Sequence, residues 1–133
     1  MEYVVGVGLA LATCVLATVV GLDRDRAFYP TITIVIASYY VLFAVMGGSV
    51  PALAIESVVM AGFLLVSILG FRRNLWLLVA ALFAHGVLDS IHGHLISNPG
   101  VPPWWPVFCL AFDITAAAYL AWLLSGSRAA RVA

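Results

Sequence analysis

Five stretches of about twenty mostly apolar residues account for nearly the whole chain, and they leave it one environment to fold in. A helix that crosses the hydrocarbon core needs ~20 apolar residues at 1.5 Å rise each. The stretches run about 3–21, 29–46, 51–70, 75–96 and 106–125, the second slightly short. Between them lie Asp23-Arg24-Asp25-Arg26, Gly47-Gly48-Ser49, Arg72-Arg73-Asn74 and Asn98-Pro99-Gly100-Val101-Pro102-Pro103, all rich in turn-forming residues. In lipid a segment must satisfy its own backbone hydrogen bonds, which selects helix. Of 133 residues, 65% are hydrophobic and 9% charged, more apolar than a soluble domain of this length can bury. The expected fold is therefore an all-α integral membrane protein, five transmembrane helices in one bundle, with 1–133 forming a single polytopic domain.

The basic residues orient the bundle. All six are arginine: Arg24 and Arg26 in the first connector, Arg72 and Arg73 in the third, Arg128 and Arg131 in the tail. Five spans bring these places to one side, and the positive-inside rule makes that side cytoplasmic, with the N-terminus outside. Trp104 and Trp105 would then anchor the outer interface, and Phe28, Tyr29, Trp76 and Trp122 the inner one. In a bacterium this is the inner (plasma) membrane. The N-terminus lacks a positive n-region and a cleavage site, so the first segment is expected to be a retained helix. Zero formal charge argues against nucleic acid as a partner. Cys14 and Cys109 form no CxxC pair. The stripe Gly6, Ala10, Cys14, and a shorter one of Ala117 and Ala121, suit close helix packing. A homo-oligomer is compatible with so thin a bundle.

Five ionisable residues interrupt these spans: Glu56, His85, Asp89, His92 and Asp113. Ionisable groups in hydrocarbon are costly and mark function by default. His85, Asp89 and His92 are spaced i, i+4, i+7 and share one helix face, whereas His94 points roughly the opposite way. At 1.5 Å per residue, Asp89 and Asp113 lie ~10 Å from the outer ends of their spans, His85 ~16 Å, His92 ~6 Å and Glu56 ~7 Å. Tyr39 and Tyr40 fall ~10 Å from theirs, and being adjacent, at most one faces the others. The rest of the histidine face is Leu78, Ala81 and Leu82, so the expectation is a cup in the outer half of the bilayer, opening outward.

Two readings of the cup compete. His85, Asp89, His92, Glu56 and Asp113 suit a divalent metal such as Zn, Fe or Mn, and helical bundles build such sites from inward-facing Glu and His. Without metal, Asp89, Glu56 and Asp113, with Tyr39 or Tyr40, form a proton-sharing acid–base set. His-x3-Asp-x2-His is suggestive spacing without being a signature of the HExxH kind. A buried His–Asp pair can also simply bridge helices. Cys109, one turn from Asp113, is read as a packing cysteine that could add a soft ligand. His94 reads as interfacial, Asp23 to Arg26 as a solvated loop with local ion pairs, and the Pro-rich loop as a possible cover.

Three functions follow. The favoured one is a membrane-embedded enzyme acting on a lipid, isoprenoid or other hydrophobic substrate, by hydrolysis with metal or by isomerisation or cyclisation without it. The second is a proton or metal-ion transporter or channel subunit, against which the polar residues stop at mid-membrane. The third is a structural or accessory subunit held together by the polar cluster.

Overall fold

A computed structural model of the chain describes residues 1–126. Five helices form: α1 Glu2–Val20, α2 Phe28–Met46, α3 Val50–Arg72, α4 Trp76–Leu95 and α5 Trp105–Ser125, with no strand among the described residues. Each is long and apolar enough to cross a membrane, which points to an integral membrane protein. The bundle's outer surface agrees: Val4, Leu16, Val19, Val58, Leu65 and Phe83 are among many large apolar side chains left exposed, a surface that water does not tolerate.

The ends differ from the sequence expectation by a residue or two, and local chemistry sets them. Val20 is followed by Gly21, whose φ of 89° is the left-handed cap that stops α1. Ser49 caps α3, accepting from the Ala52 N–H, and Pro51 sits in the first turn, where no N–H is needed. The side-chain oxygen of Asn74 accepts from the Trp76 N–H at the start of α4. α3 is two residues longer than expected, at its arginine end.

The helices do not stack in chain order. α5 packs between α1 and α4, α2 lies on α3, and α3 and α2 both touch α4. The small-residue stripe explains the α1–α5 contact. Gly6, Ala10, Cys14 and Ala17 are all buried, and a Cβ on Gly6 would run into the Phe108 carbonyl and Ala111. The stripe is thus an intramolecular seam. Leu78, Leu82, Leu120 and Leu123 fill the half of the core nearer the arginine-bearing connectors.

One expectation is corrected at that end. Asp23 is not in a solvated run; it is 3% exposed and accepts a 2.7 Å hydrogen bond from Thr18, whose hydroxyl in turn accepts from Tyr119. The turn at Gly21 folds the connector back under α1 and α5, so a carboxylate that reads as loop becomes a cap on the bundle. Arg26, at φ 66°, donates to the carbonyls of Gly70 and Phe71 at the end of α3. Arg128 and Arg131 lie outside the described residues.

Candidate functional site

The residues singled out in the spans do meet inside the bundle. Glu56, His85, Asp89, His92 and Asp113 are each no more than 2% exposed. Helical spacing explains how α4 delivers three of them, because one face carries Leu78, Ala81, Leu82, His85, Asp89 and His92 inward. The face is apolar at one end and polar at the other. His94 lies on the exposed side of α4.

They meet as two groups. In the first, α4 and α5 bring His85 Nδ1 to 2.7 Å from Asp113 Oδ2 and 3.4 Å from Asp89 Oδ2. With Nδ1 protonated this contact is a hydrogen bond to Asp113; deprotonated, the same nitrogen is a ligand atom facing both carboxylates. Cys109, one turn before Asp113, points its thiol at the same Oδ2 at 3.9 Å. His85, Asp89, Cys109 and Asp113 each offer one ligand atom, and the four atoms lie within 4.8 Å of one another. This buried set could hold a metal ion. Phe63 of α3 closes over His85, its ring edge-on at 4.9 Å.

In the second group, His92 Nε2 lies 2.8 Å from Glu56 Oε1 on α3. Asn98, from the α4–α5 loop, donates to the same Oε1 at 2.9 Å and to the Tyr40 carbonyl at 3.0 Å. Glu56 and His92 therefore pair with each other rather than joining the four-residue set.

Tyr40 couples the groups. Its hydroxyl donates to Asp89 Oδ1 at 2.6 Å, and its ring stacks on His92 with centroids 3.9 Å apart and planes 14° apart. Tyr39 is placed elsewhere: a residue further round α2, it packs on Trp105 and Phe43. Of the two adjacent tyrosines only Tyr40 reaches the acids, as helical geometry requires.

The electrostatics are lopsided. Glu56 Oε2, Asp89 Oδ2 and Asp113 Oδ1 are buried and accept no hydrogen bond. The described arginines all sit at the opposite end of the bundle, and the chain has no lysine. An isolated carboxylate in a low-dielectric interior costs several kcal/mol unless it is neutralised, paired or bound to a metal. Three acids against two imidazoles leave this centre short of positive charge, which a cation would supply.

The group is closed in this structure. The Pro-rich loop is tied to it by Asn98, and a cavity of about 320 Å³ is lined by that loop and His92. The residues expected to line an open cup are instead enclosed, each no more than 2% exposed. Sequence reasoning missed Asn98, because a loop residue gives no sign that it will fold inward. It undervalued Cys109, although the i, i+4 spacing to Asp113 was visible.

No protein-family profile matches this chain, and neither does a curated protein or a solved structure.

Proposed function

We propose that the chain is a membrane-embedded metalloenzyme that hydrolyses a hydrophobic acyl substrate, with His85, Asp89, Cys109 and Asp113 holding a divalent cation. The observation that carries this reading is the pair of buried carboxylate oxygens on Asp89 and Asp113 that accept no hydrogen bond, within a set of four potential ligands. Mixed imidazole, thiolate and carboxylate donors suit Zn best, then Fe or Mn. The reaction adds water across an ester or amide bond. A carboxylate of the set would take the water's proton and return it to the leaving alcohol or amine, and a cation held by His85, Asp89, Cys109 and Asp113 would supply Lewis acidity toward the acyl oxygen. Tyr40 and the Glu56–His92 pair orient Asp89 and connect the centre to the loop.

The arginine distribution supports reading the N-terminus as outside and the C-terminus as cytoplasmic; on that reading a bacterial protein of this kind would lie in the inner membrane with the loop-covered end of the site outside.

A second reading, a proton-coupled carrier, draws on the run of close contacts from Glu56 through His92, Tyr40, Asp89 and His85 to Asp113. Below it the core is Leu78, Leu82 and Leu120, fully buried, which interrupts a proton path. That plug is why we rank the carrier second.

The test is elemental analysis of detergent-purified protein beside a His85→Ala, Asp89→Asn double variant, followed by hydrolysis of fluorogenic acyl esters and amides before and after chelation. Stoichiometric metal lost in the variant, with hydrolysis that chelation abolishes and metal restores, is expected. Metal-free wild type, or equal metal in both proteins, sinks the proposal and leaves the carrier reading to be tested by proton flux in liposomes.

A further inference from the structure

We propose that the groove between α1, α2 and α5 is the binding site for a single hydrocarbon chain, held so that its polar end reaches the metal set through Cys109. This rests on the metalloenzyme reading for its purpose but not for its existence.

The groove exists because of the packing order. α1 is committed to α5, and α2 to α3 and α4, so α1 and α2 stand apart with α5 as the wall behind them. The space has a volume of about 380 Å³, within the ~300–1,000 Å³ range of ligand pockets. Val35 and Ile36 come from α2, Thr13 from α1, and Trp105, Phe108 and Phe112 from α5. Apolar and aromatic walls are the usual lining for a hydrophobic ligand.

Two observations select the occupant. The groove lies along helices that are each long and apolar enough to span a membrane, so what reaches it laterally is lipid. A gap between two such helices is filled by whatever is apolar and narrow, and a hydrocarbon chain is both. The second observation is Cys109. It lines the groove, and it is also one of the four ligand residues, its thiol 3.9 Å from Asp113. One side chain therefore separates the groove from the candidate metal. Near the loop end Trp105 adds an indole N–H that has no acceptor among the described residues, a donor suited to an ester, acid or alcohol oxygen.

The shared chemistry is a chain of methylene or isoprene units ending in an oxygen-bearing group. Fatty acyl and isoprenoid lipids both carry it, and competition separates them.

The experiment uses the full chain, purified in detergent, with a palmitate that carries a photoreactive diazirine near its chain end. Labelled peptides are mapped by mass spectrometry, and metal content is measured on the same samples. Saturable labelling of α2 and α5 around 32–36 and 105–112 is expected. Val35→Trp, which fills the groove from its half-exposed side, should reduce it at least tenfold, or ~1.4 kcal/mol, with metal content unchanged. Thr13→Phe, from the opposite wall, should do the same should Val35→Trp not fold. Tighter competition by palmitate than by farnesol identifies an acyl site, and the reverse order an isoprenoid one. Labelling spread evenly over the lipid-facing sides of α1, α3 and α4, and indifferent to both variants, overturns the groove. Saturable groove labelling in protein without metal overturns the metalloenzyme reading and leaves the groove standing. Metal without saturable labelling does the reverse.

Discussion

Asp113→Asn separates a metal centre from a structural His–Asp bridge by whether its effect depends on metal. The substitution conserves shape, and the amide oxygen can still accept the hydrogen bond from His85 Nδ1 that now spans 2.7 Å. What it removes is a charge at 0% exposure whose Oδ1 has no partner. Without metal, the variant should be as stable as wild type or more stable, because a buried charge with no matching cation is a cost. With metal the order reverses. Removing a residue that merely supports a ligand weakens binding by ~10–100-fold, and Asp113 contributes a ligand atom itself, so ~100-fold is the smallest expected loss. At a metal concentration of ~100 times the dissociation constant, binding stabilises wild type by ~2.7 kcal/mol; a variant with ~100-fold weaker affinity gains only ~0.4 kcal/mol at the same concentration. Thermal melts in detergent, chelated and metal-loaded, read the difference of ~2.3 kcal/mol directly. A bridge without metal predicts a different pattern. There, the offset between variant and wild type is the same in chelated and metal-loaded samples, because no metal binds for the substitution to weaken. That result would refute the argument from unpartnered oxygens.

Three further outcomes follow from the same geometry. Tyr40→Phe keeps the stack on His92 but removes the 2.6 Å donor to Asp89; a hydrogen bond to a charged group is worth ~1.5–3 kcal/mol, so denaturation in detergent should show that loss, and an unchanged midpoint would mean Asp89 is served by something else. Metal affinity should fall as pH falls, because protons compete for His85 and the carboxylates, and equilibrium dialysis that shows no pH dependence would argue against these ligands. A cysteine replacing the exposed Pro103 should react with an impermeant thiol reagent from outside intact cells, since Cys14 and Cys109 are buried and silent; labelling only after the cytoplasmic face is opened would invert the orientation.

The spans were legible because their signal is coarse: about twenty apolar residues bounded by glycine, proline or arginine specify a crossing whatever the helices pack against. The inward face of α4 was legible for a related reason, since His85, Asp89 and His92 repeat at helical spacing and the same face continues through Leu82 and Leu78. Pairing between helices was not. Depth put Glu56 and Asp113 in the right layer, but only the rotation of α3 and α5 decides that Glu56 takes His92 while Asp113 takes His85. Asn98 and Asp23 show the limit from another side. Both lie in connectors whose composition says loop, and both are drawn into the bundle, by the fold of the Pro-rich segment in one case and the turn at Gly21 in the other.

The division into two groups also bears on how the centre could be reached. Each of the three acids keeps one oxygen without a hydrogen bond, but Glu56 differs in that its other oxygen is engaged by both His92 and the loop residue Asn98. A bond from a loop amide to a buried acid is the contact that must break if the loop lifts. Tyr40 would register that event at Asp89, because its carbonyl accepts from Asn98 while its hydroxyl holds Asp89 Oδ1. Asn98→Ala therefore tests whether cover and centre are coupled. Loop release should raise amide hydrogen exchange over 96–104 and, through Tyr40, weaken metal binding by ~10–100-fold, the usual effect of losing a residue that orients a ligand. Faster exchange with unchanged metal affinity would show that the loop is only a lid and that Tyr40 holds Asp89 without its help.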